Sequence, residues 1–526
     1  MPAHCKGEAA GGHLMGLLSW ITRQFRRRPT PKVNGGRPRL RGRYDAAATT
    51  SENENHWAQA DHLSARGANT PGVRATLRSR ARYETSNNGD AKGLVRTIRN
   101  DTVGVGPRLQ VSLPESWTDP DFGITQTTPA GAAHRIERLW QQWCDLVGLS
   151  DDLRVMEETG ERDGECFLIQ VTNGGLPADG VQLDVRLLEA DQVTTPNLIW
   201  NDPLRIDGIQ FDQWGNPVGY DVLKQHPGDP TWVNPWTYDT IPAAAVIHWF
   251  DPDRPQQARG IPSITPSLPL WAILRRYTLA ALGAAETAAS IAGVLKTETP
   301  ADGDTATPKF ETMDEVEMPR RGLLTLPAGW DASAFESKQP VVGHREFRGE
   351  VLTEAGRPVC APRNVSTGSS AEYNYSSARL DHLPYRTNIR INRDRMRRLV
   401  LDRLFRTWIR EATLIPNFLP AGLPPVSLWA WTWHWDAFES IDPQKDAAAD
   451  DMALKNGTKT LGQILAEQGK DWEEHLRQRA REIALARRLE RENGLTPGTL
   501  YPLTTGEQAA TPTPETPANA DAETAA

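Results

Sequence analysis

Apolar residues recur at helical spacing between Thr76 and Val105, with Leu94, Val95 and Ile98 on one face, and Asn87-Asn88-Gly89-Asp90 interrupts the run. That pattern predicts two helices joined by a turn. A further helix is predicted over Ala132–Val147, where Ile136, Leu139, Trp140 and Trp143 share a face. The period then changes to two. Cys166–Val171, Val181–Leu188, Ile209–Asp212, Gly219–Leu223 and Ala245–Phe250 read as strands, and Gln213-Trp214-Gly215-Asn216-Pro217 supplies a turn between two of them. Ser267–Leu295 returns to a helical pattern that is mostly Ala and Leu beyond Tyr277, about 30 residues spanning ~45 Å. Turn-rich sequence follows from Lys296 to Pro340, then a helical stretch over His344–Glu354 that Gly356 and Pro358 stop.

The longest amphipathic pattern begins at Ile389 and runs through Met396, Val400, Leu404 and Trp408, broadened by Leu399 and Phe405: a helix of about six turns. Beyond it, Trp429, Trp431, Trp433 and Trp435 fall on one face of a strand-like run. That face needs a cover, either from the same chain or from a neighbouring subunit. Helices are predicted over Asp446–Asn456 and Thr460–Gln468. A third opens at Asp471, with Glu474 placed to complete a capping box and Trp472, Leu476, Ala480 and Ile483 as its buried stripe, and ends at Gly494. The fold class is α+β, predominantly helical.

With 526 residues the chain supports several structural units. Its 18 Trp outnumber its 11 Phe and 9 Tyr, which suits interfaces as readily as cores. Cys5, Cys144, Cys166 and Cys360 are too scattered for a zinc site or a disulfide framework. The apolar run Leu14–Ile21 precedes its basic cluster, the reverse of a secretory signal. Tyr277–Leu295 carries Glu286, Thr287 and Ser290 and makes a poor membrane span, so no membrane partner is expected. Residues 1–43 hold Arg23, Arg26, Arg27, Arg28, Lys32, Arg37, Arg39, Arg41 and Arg43, a basic arm expected to be flexible and either solvated or in contact with DNA or an acidic neighbour. The tail over 496–526 lacks Lys and Arg and is expected to be disordered.

The net charge of −8 is not that of a protein that grips DNA by its whole surface. It suits either plain solubility or a wall past which DNA slides. Arg390, Arg393, Arg397 and Arg403 lie off the apolar stripe of the long helix, and two uses stay open for them: ion pairs and solvent, or contacts to phosphate or to a neighbouring subunit. The sequence holds no phosphate-cradling G-x-x-x-x-G-K-[ST] loop, no H-E-x-x-H and no G-x-S-x-G, and Asp251-Pro252-Asp253 is a common turn. His248 and His434 sit in Trp-flanked strands without a second ligand candidate nearby. No cofactor, metal or catalytic residue is assigned.

Asn374-Tyr375-Ser376-Ser377-Ala378-Arg379, ahead of the arginine-rich helix, resembles the signature of lambda-family phage portal proteins. Arg43-Tyr44-Asp45-Ala46-Ala47, the run Arg74–Gln110, Gly260-Ile261-Pro262-Ser263 and Asp471-Trp472-Glu473-Glu474 resemble pieces of the same family in the same order. The resemblance implies a non-enzymatic ring, generally of twelve copies, at one vertex of a phage head. Such a ring nucleates head assembly, docks the large terminase subunit, passes double-stranded DNA and joins head-completion proteins, with the major capsid and scaffold or protease proteins as further partners. Its place is the virion, after assembly in the bacterial cytoplasm. Carried onto this chain, the family's regions are a wing-like mixed region over 44–265, a stem helix over 266–295, a clip-like region over 296–340 and a second stem helix over 341–359. A channel loop over 360–373, a long helix over 374–412 and a crown- or wing-side helical region over 413–495 complete it. Ser366, Thr367, Ser369 and Ser370 would face DNA in the loop, and Asn374, Tyr375, Ser376, Ser377 and Arg379 would start the helix behind it. One departure stands out: the family continues an apolar helix toward the loop where this chain has Gly356-Arg357-Pro358-Val359-Cys360-Ala361-Pro362. Two other classes fit less of the sequence, a head scaffold or minor capsid protein that never contacts DNA and a Trp-rich carbohydrate-active enzyme.

Overall fold

The computed structural model describes residues 55–58, 60–119, 123–195, 202–230, 237–290, 293–297, 330–334, 343–371, 374–438, 443–468, 470, 472–496 and 498–500. The basic arm, most of the clip-like region and nearly all of the tail therefore lie outside the described residues. Contacts divide the chain into two units, 1–64 and 65–526. In the first, the described residues form a turn and irregular chain in which Asp61 accepts the Leu63 amide at 3.0 Å.

The second unit opens with the two predicted helices, α1 (Pro71–Asn87) and α2 (Gly89–Val103). Asn88 divides them because its side chain accepts the Asp90 amide and so caps the second helix. After β1 (Arg108–Ser112) and a small hairpin of β2 (Ser116–Thr118) and β3 (Thr125–Thr127) come α3 (Ala132–Val147) and α4 (Leu149–Asp163), hinged at Gly148 with φ of 70°.

Two antiparallel sheets follow. Strands β4 (Glu165–Thr172) and β5 (Leu183–Glu189) form the first with β10 (Val246–Phe250), in the order β10-β4-β5. Between β5 and β10, β6 (Arg205–Ile206), β7 (Ile209–Phe211), β8 (Pro217–Leu223) and β9 (Tyr238–Pro242) make a meander. Phe167, Val193, Ile209, Tyr220 and Val246 fill the core between the two sheets.

The Ala-rich helix α5 ends at Ser290 (Leu268–Ser290), earlier than the pattern predicts, and a strand pair β11 (Gly293–Thr297) and β12 (Trp330–Ala334) follows. Then come α6 (Gly343–Gly356), α7 (Arg363–Thr367) and α8 (Tyr375–Met396). A single π turn at Arg397–Leu401 joins α8 to α9 (Asp402–Ala412). Helices α1, α2, α5, α6 and α8 share a core built on Ile98, Trp271, Leu352, Tyr385 and Ile389.

Strand β13 (Ala430–His434) returns to pair with β1, Thr432 opposite Gln110. This closes the largest core, where Trp140 meets Trp143, Phe405, Trp408 and Trp433 at ring distances of 4.7, 5.2, 5.6 and 5.7 Å. The row of tryptophans is thus covered by its own chain. Each buried ring contributes roughly 2–3 kcal/mol of apolar burial, and three indole N–H groups of the row find acceptors. Trp431 and Trp433 both donate to Asp402, at 2.9 Å each, and Trp429 donates to the Pro424 carbonyl at 2.9 Å.

The chain finishes with α10 (Pro443–Lys455), α11 (Leu461–Glu467) and α12 (Trp472–Glu492). Here the structure corrects the sequence reading. Trp472, Leu476 and Ala480 are exposed and Ile483 is half-buried, so the stripe expected to be buried lies largely open because little besides α11 packs on that helix. Among the described residues no helix is long and apolar enough to cross a membrane.

Candidate nucleic-acid interface

The departure at Gly356–Pro362 is where the loop begins. Helix α6 ends at Gly356, where only glycine fits because a Cβ would collide with the Ser366 hydroxyl. A 3-10 turn follows, Cys360 takes a left-handed φ of 57°, and the Ala361 amide closes back on the Gly356 carbonyl at 3.0 Å. Pro362 then opens α7, as its lost N–H permits at a helix start.

Ser366 lies buried beneath this turn and donates to the Pro362 carbonyl at 3.1 Å. It packs the base of the loop and does not face outward, a correction to its expected role. Thr367 is half-buried and bonded to the Arg363 carbonyl at 2.8 Å. Gly368, with φ of 65°, turns the chain outward, and Ser369 and Ser370 are exposed. Glu372 and Tyr373 lie outside the described residues. Asn374 caps α8, its Oδ1 accepting the Ser377 amide at 2.9 Å and the Ser377 hydroxyl at 3.0 Å. Tyr375 and Ser376 supply the first helical residues, with their side chains outside the description, and Arg379 is exposed one turn on. The exposed tip over Gly368–Ala371 thus carries no charge, and neutral hydroxyls offer phosphate a hydrogen bond without the counterion release that makes binding tight.

The four arginines of the long helix separate into two classes. Arg393 donates to the carbonyls of Asp101, Thr102 and Asp436 at 2.8, 3.0 and 2.9 Å, and its guanidinium lies over Trp435 and Phe438. Asp101 and Thr102 close α2, so Arg393 satisfies carbonyls that a helix end leaves open. Burial holds its pKa below the usual value. Arg397 pairs with Asp394 at 2.8 Å and Asp402 at 3.3 Å across the π turn. Arg403 donates to the carbonyls of Ala243 and Ala244 at 3.1 Å each, and burial lowers its pKa too. Arg393, Arg397 and Arg403 are therefore engaged within the chain, the first of the two uses left open for them, and of the four Arg390 stays exposed.

Sequence reasoning missed a dense charge cluster among the described residues. Arg74, Arg78 and Arg82 stand four residues apart on α1, all turned inward. Glu165, fully buried at the start of β4, accepts from Arg259 Nε at 2.9 Å and Nη2 at 2.6 Å, from the Gly260 amide at 3.0 Å and from His248 Nε2 at 2.9 Å. Burial alone would push the Glu165 carboxyl up, but Arg259 and His248 hold it well below the usual carboxylate range. Arg259 also reaches Asp207 at 3.1 Å, which pairs with Arg74 as well. Burial and the neighbouring Arg259 charge pull the Arg74 pKa down to about 9. Arg82 joins Asp163, Asp191 and Glu189 at 2.8, 2.8 and 2.9 Å. Gly260 fits because a Cβ there would strike the Gly164 carbonyl. The four-residue arginine spacing and the Gly260–Ser263 motif were the signals available, and both belong to this lattice.

Glu189, Asp191 and His226 group closely enough to suggest a cation site. Arg82 is already ion-paired with both carboxylates. The Gly228 amide donates to His226 Nδ1 at 3.0 Å, which leaves the ring proton on Nε2, the atom facing the acids. With the Arg82 guanidinium paired to both carboxylates and a His226 N–H facing them, the group is already neutralised and does not fit a metal. Asp251 pairs with Arg395 at 2.5 Å, and the Asp253 amide donates to Gln257 Oε1 at 3.0 Å, so these two carboxylates belong to a structural turn.

Comparison with known proteins places these features. Residues 53–393 match the family model described as phage portal protein, lambda family. The probable portal protein of Halomonas phage phiHAP-1 is 24% identical over 441 residues, covering 79% of this chain and 81% of its own. Chains from the virion of a native gene transfer agent particle and from the neck of that native particle are 13% identical, with TM-scores of 0.39 and 0.40. They cover 75% and 76% of this chain and 93% and 94% of their own.

Proposed function

This chain belongs to the lambda family of phage portal proteins, and we propose that its copies close into a ring of twelve around an open axis through which double-stranded DNA passes into and out of a phage head. The observation that carries this reading is the contrast at the loop, an exposed stretch over Gly368–Ala371 without charge ahead of a long helix that holds Arg393, Arg397 and Arg403 within the chain and leaves Arg379 and Arg390 exposed. DNA that must move needs a lining that touches it without holding it. The chain's net charge of −8, repeated around a ring, has the same effect.

On this reading α5 and α6 form the stem, the segment between them forms the clip that meets the terminase motor, and Ser369 and Ser370 face the duplex. The ring nucleates head assembly in the host cytoplasm and later joins head-completion proteins in the virion. Portal-family proteins are structural. The carbohydrate-enzyme alternative is weakened because the row Trp429, Trp431, Trp433 and Trp435 packs on the core of its own chain and offers no open aromatic platform.

Electron micrographs of the purified full chain test the proposal. Rings with an axial hole wide enough for a duplex and Ser369 at its narrowest point are the expected result. Monomers at high concentration, a plugged centre or an axis lined throughout by cationic side chains would overturn it.

A further inference from the structure

Among the described residues, apolar helix faces stand open on α5 with α6 and on α8 as well as on α12, and the first two differ in kind. On α5 and α6, Ile273 is 60% exposed and Phe347 50% exposed, with Tyr277 bridging them at a ring distance of 5.1 Å from Phe347. Glu350 and Glu354 follow Phe347 on the same stripe of α6, both exposed, Glu350 also holding Arg363 at 2.7 Å. On α8, Leu380, Leu383 and Ile391 are 66%, 53% and 53% exposed on one stripe. Arg379 and Arg390, eleven residues apart and so on one side of the helix, flank that stripe and are exposed. The first face carries Glu350 and Glu354 with Arg276 at its other end, and the second carries Arg379 and Arg390 with Asp394 held by Arg397 and Arg398.

Both belong to helices that bury their opposite sides in the same core, α5 through Trp271 and Leu274, α6 through Leu352, α8 through Tyr385 and Ile389. Scattered exposed side chains need no partner, whereas a continuous apolar stripe on a long helix does. We propose that the face of Ile273, Tyr277 and Phe347 on one copy packs against the face of Leu380, Leu383 and Ile391 on the next. Glu350 and Glu354 then meet Arg379 and Arg390. Two different faces that complement each other give a head-to-tail contact, which closes into a ring where the rotation allows, while a face that complements itself gives a two-fold dimer and stops. The inference rests on the ring proposed above and names the surfaces that make it. It also gives Arg390, the exposed one of the four arginines, a carboxylate partner instead of phosphate.

The test uses the full chain and two double variants, Ile273→Asp with Phe347→Asp, and Leu380→Asp with Ile391→Asp. All four positions are at least half exposed, so unchanged circular dichroism and melting will show that the variants fold. Native mass spectrometry and light scattering should find each variant monomeric under conditions where the unsubstituted chain forms rings. Mixed one to one, the variants share a single intact junction and should give a heterodimer and nothing larger. Variants that still form rings overturn the inference and leave the ring standing. Monomeric variants that stay monomeric on mixing overturn the pairing of these two faces. An unsubstituted chain that stays monomeric instead overturns the ring reading itself.

Discussion

Replacing Glu165 by Gln takes a negative charge out of a site that water does not reach. Both carboxylate oxygens are engaged, by Arg259, His248 and the Gly260 amide, and all of these groups donate. A glutamine amide presents one acceptor and one donor, so in either orientation an N–H meets an N–H. Arg259 would be left with Asp207, which Arg74 already shares. Removing one partner of a buried pair costs about 3–5 kcal/mol. At roughly 2–4 °C per kcal/mol for a cooperative unit of 150–250 residues, the melting temperature should fall by about 6–20 °C. Thermal melting and urea unfolding at neutral pH, followed by circular dichroism, measure it. Arg259→Met and the double variant complete a cycle, in which the coupling should exceed about 2 kcal/mol because each single change strands a charge that the double does not. The pH dependence has a definite sign. The folded pKa of Glu165 is depressed, so its contribution is present above the unfolded value of about 4.3 and is lost as pH falls through that value toward the folded one. The gap between Glu165→Gln and the unsubstituted chain should therefore narrow below about pH 4. A loss under about 1 kcal/mol at neutral pH, or simple additivity in the cycle, would refute the claim that this lattice holds α1 to the sheets.

Asp402→Ala strands two indole N–H groups, those of Trp431 and Trp433, at about 1–3 kcal/mol each, so urea unfolding should show a loss of roughly 2–5 kcal/mol, with weakened near-ultraviolet dichroism from the tryptophan core. Burial first, and the nearby Glu161 carboxyl second, push the Glu157 pKa up to about 8. Its burial therefore costs nothing below the unfolded value of about 4.3 and progressively more as pH rises toward 8, so Glu157→Gln should raise the melting temperature at pH 8.5 and leave it nearly unchanged at pH 5. Ser369→Arg with Ser370→Arg should leave melting within about 0.5 kcal/mol, since both sites are exposed. The same change should steepen the salt dependence of duplex binding by about 0.9 for each arginine that reaches a phosphate, read by filter binding over a salt series.

The helices were legible where one face is apolar over several turns, because that periodicity records burial directly. α1, α2, α3 and the long helix through α9 all appear where the pattern places them. α12 shows the converse. Its stripe reads as buried, yet it is largely open within the chain, because periodicity reports that a face wants cover and says nothing about what supplies it. The tryptophan run posed the same question with the opposite outcome, its cover coming from α3 and α9. Arginine side chains were the least legible. Arg390 and Arg393 differ by three residues, and nothing in their spacing tells that Arg393 closes the carbonyls of α2 from 291 and 292 residues away while Arg390 stays in solvent. Long-range ionic pairing leaves no period in the sequence, so the Glu165 lattice was visible there only as a motif.

On the proposed reading, the long helix and the loop answer one physical demand from two sides. A helix rich in arginine directly behind a DNA-facing loop would turn the loop into an anchor if its charges pointed at the duplex, since each phosphate neutralised strengthens binding and slows motion along the strand. Arg393 and Arg403 avoid this by donating to backbone carbonyls, and Arg397 by pairing with Asp394 and Asp402. The same contacts tie the long helix to α2 and to the loop before β10, so charge that would hinder passage instead stiffens the frame. Rigidity at the base then lets the tip be small and neutral. Ser369 and Ser370 need supply no binding energy, because position is set by Ser366 packed against Gly356 and by the Asn374 cap. On that reading, loosening the base by Gly356→Ala, where a Cβ would strike the Ser366 hydroxyl, should change the salt dependence of duplex binding while Ser369 and Ser370 stay unaltered.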